Sequence, residues 1–347
     1  MSAPAQAPDL RERLEAAWYA PRLTLLSASL LPLSWLFGAI AASRRTLYRL
    51  GLLRARRIGV PVVVVGNIAV GGTGKTPFVI ALAHALAERG RRPGIVSRGY
   101  RGAAQGVREV RAGDDAAVVG DEPLLHATSG FPVWIGRDRV AAASALHAAH
   151  PQCDVIVSDD GLQHYALARD VEIAVFDGER GLGNRRLLPA GPLREPASRL
   201  REVDAVVHRV AGQAPMPALQ GVRFATVTRH EPIGLRSLVA PGTPVQPQQW
   251  PRGSVHAVAG IGHPQRFFAL LSRLGIDAVP HVFPDHHLYV PQDLEFPDAQ
   301  AIVMTAKDAV KCQRFADARF FALDIRATVD AALADLVLER LDGRQAA

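Results

Sequence analysis

The sequence predicts an α/β protein: a P-loop doubly wound, mostly parallel sheet with a second, smaller α/β domain and an N-terminal apolar helix. Three observations carry this. A β-branched run, "VPVVVVGN", leads into the glycine-rich stretch "GNIAVGGTGKTP" of residues 66–77. Short apolar runs then alternate with text of helical period along most of the chain. Residues 23–43, "LTLLSASLLPLSWLFGAIAAS", carry no charge at all.

The N-terminal stretch approaches a membrane span in length. Arg22 precedes it; Arg44, Arg45, Arg49, Arg54, Arg56 and Arg57 follow. A signal peptide is disfavoured, because the apolar core is long and an arginine-rich stretch follows directly. Thr24, Ser27, Ser34, Gly38 and Ala41 recur at three- and four-residue steps, interrupted by Leu31, and Pro32 would kink a helix. The expected form is an interfacial or shallowly inserted helix with arginines at anionic headgroups and the body on the cytoplasmic side. A helix buried against its own domain is the other reading.

Beyond residue 60 the elements follow in order. "VPVVVVGN" has the continuous β-branched character of a strand buried on both faces. "PFVIALAHALAERG" has helical spacing and ends in glycine. "RPGIVSRGYRG" reads as a strand and a basic loop, "DVIVSDDG" as a buried strand ending in two aspartates, and "VEIAVFDG" and "VDAVVHRV" as further strands. Residues 211–252 are rich in Pro, Gly and Gln and are expected to form a linker, with "VRFATVTRH" as a strand of a β-ribbon. "SVHAVAGIG", "PQRFFALLSRLG", "AIVMTAKDAV" and "VDAALADLVLERLDG" make the second unit. The expected division is therefore 1–45, 46–210, 211–252 and 253–347.

Composition bounds the function. Of the 347 residues, Lys and Arg number 40 against 33 Asp and Glu, a net charge of +7. That suits an anionic partner. Aromatics make up only 6% and no basic run is interleaved with them, which argues against nucleic-acid recognition by base stacking. Cys153 and Cys312 form no C-x-x-C pair, so neither a zinc site nor a disulfide framework is indicated.

The glycine loop lies between a strand and a helix, where backbone N–H groups converge on phosphate. Gly71, Gly72, Thr73 and Gly74 would line the phosphates, Lys75 would reach the β/γ-phosphates, and the Thr76 hydroxyl would hold Mg²⁺. The strict pattern wants glycine at 69, where this chain has Ala69. Asp159 and Asp160 are the acids for Mg²⁺; two adjacent carboxylates repel unless a cation or basic groups lie near. The sequence does not choose between them. ATPase switches with the related K-G-G-x-G-K-[ST] loop carry a lysine where this chain has Val70, which weighs against that class. A membrane-associated ATPase switch is nonetheless the competing reading. A kinase needs a base, and "VGDEP" offers Asp121, which as a residue before a helix is equally an N-cap candidate. "FPDHHLY" offers two histidines.

Together, "GNIAVGGTGKTP", "SRGYRG", "VGDEPLLHA", "SDDGLQHYALARDVEI", "FDGERGLGNRRLLPAGPLREP", "GIGHPQRFF", "FPDHHLY" and "TAKDAVK" resemble the tetraacyldisaccharide 4'-kinases, from about residue 60 to 311. The family tolerates a small residue at the position of Ala69. The resemblance implies transfer of the ATP γ-phosphate to the 4'-hydroxyl of a tetraacylated glucosamine disaccharide 1-phosphate, giving lipid IVA, at the cytoplasmic face of the bacterial inner membrane. It implies Asp121 as catalytic aspartate and a partner histidine assigned to His286, with His263 and His287 as competitors. Arg98, Tyr100, Arg101, Arg139 and Arg194 are candidates for the substrate's phosphate and sugar. No obligate protein partner is inferred.

Overall fold

The computed structural model describes residues 10–211, 220–240, 245, 250 and 253–345. The chain begins with α1 (Leu10–Trp18), α2 (Leu25–Ser29) and α3 (Leu31–Arg49). Pro32 stands in the first turn of α3, where its missing N–H costs no hydrogen bond, so it starts a helix and does not kink one. The small residues face the protein body: the Ser34 hydroxyl donates to Leu187 O at 2.8 Å, and a Cβ on Gly38 would collide with Leu187. The large apolar residues face outward, with Leu25 91%, Trp35 67% and Ile40 62% exposed. Among the described residues, no helix is long and apolar enough to cross a membrane.

The first half then runs β1 (Val62–Gly66), α4 (Lys75–Ala87), β2 (Pro93–Ser97), β3 (Arg108–Val110), α5 (Ala116–Val119), α6 (Asp121–Ala127), β4 (Val133–Ile135), α7 (Arg139–Ala149), β5 (Val155–Asp159), β6 (Val171–Asp177) and β7 (Ala205–Val210). β1 lies between β5 and β6, parallel to both. Its side chains alternate between the two faces. Val63 and Val65 join Phe78, Leu82 and Leu86 of α4 in one core cluster. Val62 and Val64 join Ile156 and Leu146 in the other. A strand covered on both faces needs no polar alternation, which is why "VVVV" is uniform.

β8 (Ala225–Ser237) falls within the segment expected to be a linker or ribbon. It is a single 13-residue strand. Residues 225–229 pair in parallel with β7, and 230–237 pair antiparallel with β12 (Phe320–Ala327). The rest of that segment lies largely outside the described residues. The second half adds β9 (Val255–Ala259), α8 (Pro264–Arg273), β10 (Val279–Val282), β11 (Ala301–Thr305) and α9 (Ala306–Cys312). One twelve-stranded sheet results, in the order β10-β9-β11-β12-β8-β7-β6-β1-β5-β2-β4-β3.

α10 (Ala331–Gln345) follows β12. It was expected in the smaller unit but packs on the first half. Leu333, Val337 and Leu341 repeat every fourth residue and join the cluster around α4. Arg89 and Arg91 at the end of α4 pair with Asp335 and Asp342. The helical stripe was legible; which half it would cover was not.

Leu333 is fully buried. Leu333→Ala should lower the unfolding free energy by about 2–5 kcal/mol, read by urea titration. A change within a few tenths would show that α10 is not part of the first half's core.

Candidate active site

The phosphate loop is held by backbone. Val70 N donates to Pro192 O at 2.8 Å and Arg194 N to Ile68 O at 2.6 Å. Ala69 is bridged to Leu193 and only 3% exposed. A methyl group fits this packed position, so the missing glycine is a consequence of local pairing. Gly74 caps α4 with φ +80°, and a Cβ there would come within 2.6 Å of Arg209 and His230. Only glycine suits both the angle and the neighbours. Gly71, Gly72, Thr73, Lys75 and Thr76 line the large cleft between the two halves.

The strand-end aspartates diverge. Asp160, at φ +49°, lines the cleft; its carboxylate accepts from Arg194 Nη1 at 3.0 and 3.1 Å and lies 3.5 Å from Lys75 Nζ. Burial works to raise its pKa, but Lys75, Arg194 and Arg139 outweigh it and hold the carboxyl far below the usual range. Asp159 turns inward. It is 1% exposed, with Oδ2 2.8 Å from His126 Nε2 and Oδ1 buried without a partner.

Arg139 departs from the expectation. It does not line the cleft: it is 2% exposed, with Nη1 donating to Gly136 O at 2.5 Å. Burial draws its pKa down to about 10, and the Asp159 and Asp160 charges oppose that shift. Arg139 is thus buried beside the cleft, within electrostatic reach of the two adjacent aspartates. With Lys75 and Arg194 it supplies the basic surroundings such a pair requires.

Across the cleft, His286 Nδ1 lies 2.8 Å from Asp121 Oδ2 and 3.0 Å from Oδ1. Asp121 opens α6 and is 5% exposed; Glu122 N donates to its Oδ1 at 2.9 Å. His286 belongs to the second half and has φ +65°. Burial tends to raise the Asp121 pKa, but the His286 hydrogen bond and the Lys307 charge prevail, so it sits below the usual carboxylate range. The competing histidines have other partners, although His263 also lines the cleft. His263 Nε2 meets Arg180 Nη1 at 2.5 Å, and His287 Nε2 meets Asp293 at 2.8 Å.

Arg98, Tyr100, Arg101 and Arg194 all line the cleft. The Tyr100 ring stands edge-on to His286 with centroids 5.6 Å apart, and Arg101 donates to Asp285 O at 3.2 Å.

Nothing local in the sequence singles out Lys307, although it follows an apolar strand at the carboxyl end where such sheets place functional groups. Its Nζ lies 3.2 Å from Asp285, 3.6 Å from Asp121 and 3.7 Å from Glu122. His164, also in the cleft wall, has its pKa lowered to about 4 by burial and then by Arg139, Arg98 and Arg44. It is neutral at pH 7.

Among the described residues, no group of three or more His, Cys, Asp or Glu side chains is already arranged to hold a metal ion. The oxygen donors present nevertheless suit a hard cation. Thr76 and Asp160 line the cleft, and the Asp159 Oδ1 behind them has no partner.

The comparisons with known proteins bear on the family. The family model described as tetraacyldisaccharide-1-P 4'-kinase matches residues 26–342. A tetraacyldisaccharide 4'-kinase of Azoarcus sp. strain BH72 is 53% identical over 322 residues, 92% of each chain. One of Xanthomonas campestris pv. campestris is 46% identical, covering 95% of this chain and 96% of its own. The crystal structure of LpxK from Aquifex aeolicus in complex with ATP superposes with a TM-score of 0.77 at 32% identity, covering 91% of this chain and 100% of that one. Matches that span nearly the whole length of each relative, at these identities, leave one assignment: the chain belongs to the tetraacyldisaccharide 1-phosphate 4'-kinase family.

Proposed function

We propose that Asp121 and His286 are the catalytic pair with which this chain carries out its family's reaction, phosphorylation of the 4'-hydroxyl of a tetraacylated disaccharide 1-phosphate by ATP. The observation that carries the reading is the 2.8 Å contact between Asp121 and His286, made across the cleft from the phosphate loop. The 4'-hydroxyl proton passes to an Asp121 oxygen as the hydroxyl oxygen attacks the γ-phosphorus. The bond from that phosphorus to the ADP oxygen breaks, and the electron pair leaves with ADP. His286 donates Nδ1–H to Asp121 and so orients the carboxylate.

Lys75 and the backbone N–H groups of 71–76 hold the β/γ-phosphates. Asp160 and Thr76, with Asp159 behind them, would hold Mg²⁺. Bound there, the ion neutralises charge on the phosphate oxygens. Arg98, Tyr100, Arg101 and Arg194 are the groups for the 1-phosphate and the sugars. Arg194 is engaged with Asp160 and must exchange that partner for an anion. The outward face of α2 and α3, with Leu25, Trp35, Leu36 and Ile40, would enter the outer part of an anionic leaflet at the cytoplasmic face of the inner membrane. The arginines that follow α3 suit its headgroups.

Purified protein with Mg·ATP and the disaccharide 1-phosphate should give a phosphorylated lipid. ATP hydrolysis without that product would favour an ATPase switch. Asp121→Ala should lower kcat about a hundred- to ten-thousand-fold while ATP binding is kept; turnover like the wild type would remove Asp121 as base.

The low Asp121 pKa sets a pH expectation. The base is ionised above its folded pKa, so kcat/KM should show no Asp121 limb between pH 7 and about 5. His286→Ala removes a bond that lowers this pKa, so an acid limb should move upward in pH as kcat falls. An unshifted profile would refute the coupling.

Trp35→Glu with Ile40→Glu, both at exposed positions, should abolish flotation with anionic vesicles and leave the thermal midpoint unchanged. Undiminished flotation would locate the membrane contact elsewhere.

A further inference from the structure

We propose that Lys307 is a further catalytic residue: its ammonium group leaves the acidic cluster where it rests and binds the transferring phosphoryl oxygens from the side opposite Lys75. The proposal rests on the phosphotransfer reading above.

Placement supports it first. Lys307 is the second residue of α9, at the carboxyl end of β11, and lines the same cleft as Lys75. Glu122 stands within electrostatic reach of both lysines, so the two cations flank one acid from opposite halves of the protein.

Its bonding supports it next. Of the three carboxylates around Nζ only Asp285, at 3.2 Å, is within hydrogen-bond distance; Asp121 and Glu122 stand at 3.6 and 3.7 Å, and His286 Nε2 is a long contact at 3.5 Å. Lys311, one turn further along the helix, shows the contrast. Its side chain is 2% exposed and fixed on Asp308 at 2.7 Å, as a structural ion pair requires. Lys307 is 18% exposed and loosely shared. Arg209 and Arg266, also near the loop, are more tightly engaged: both donate to Asp177 at 2.5 Å.

The reaction itself supplies the driving force. When the acceptor proton reaches Asp121, that acid becomes neutral and Lys307 loses one of its anionic partners. Negative charge then gathers on the phosphoryl oxygens and on the ADP oxygen that takes the electron pair. The ammonium follows the charge and remains protonated throughout. Burial works against that protonation, but the charges of Asp121, Glu122 and Asp285 outweigh it and raise the Lys307 pKa.

The test uses the full chain, Mg·ATP and the disaccharide 1-phosphate, with kcat, both KM values and the thermal midpoint read for Lys307→Met and Lys307→Arg. The Met variant should lose about 100-fold or more in kcat with little change in either KM. Added n-propylammonium should restore part of the loss. The Arg variant, which keeps the charge and the ion pairs, should retain at least about a tenth of kcat. A Met variant within about threefold of wild type would overturn the proposal. So would equal losses in both variants, or a loss that follows a lowered thermal midpoint and ignores the amine. A wild-type chain that makes no phosphorylated lipid would instead refute the phosphotransfer reading, before any variant is compared.

Discussion

The two halves of this protein share one strand, and the cleft depends on it. β8 spends its first residues as a parallel neighbour of β7 and its last as an antiparallel neighbour of β12. Each ladder fixes the position of one wall. The phosphate loop and Asp121 belong to the wall built on β1 and its neighbours; His286 and Lys307 belong to the wall built on β9 and β11. Backbone hydrogen bonds are made or lost in whole registers, so the separation of the walls is set by pairing. α10 adds a second tie, because it crosses back to cover α4.

Within the cleft, charge is arranged in two unlike groups. At the phosphate-loop end, one accessible acid, Asp160, meets Lys75 and Arg194, with Arg139 buried behind. That end has more cation than anion and suits an incoming polyphosphate. At the opposite end Asp121, Glu122 and Asp285 outnumber Lys307. That end suits a proton leaving a hydroxyl. A phosphoryl group moving from the first region to the second passes from a cation-rich to an anion-rich environment, and the movement proposed for Lys307 would ease the passage.

Much of this was legible in the sequence, for identifiable reasons. Runs such as "VVVV" and "VIVSD" are buried on both faces and report themselves as central strands. Gly71 and Gly74, at φ +111° and +80°, mark a backbone conformation few other residues adopt. The pairing of "VRFATVTRH" was not legible, because its partners lie on either side of it in sequence and the choice is made by long-range register. The burial of Arg139 was not legible, because a guanidinium is ordinarily a surface group and nothing local shows that the charges of Asp159 and Asp160 reach it. Lys307 was passed over because its three acids come from 121, 122 and 285, which only the folded chain brings together. The uncharged stretch 23–43 was expected as one interfacial helix with a small polar stripe; the structure breaks it into α2 and α3, with Ser34 of the stripe held on the body and bulky apolar residues left exposed.

His286 sits at φ +65°. Backbone in this region costs a residue with a side chain about 1–2 kcal/mol, and glycine or asparagine adopts it more readily. A sequence refined for folding alone would therefore not keep histidine there. With His286 as the partner proposed for Asp121, position 286 is a site of trade-off between stability and activity. In a library screened only for thermal tolerance, glycine or asparagine should accumulate at this position, with enzymes that last longer and phosphorylate less.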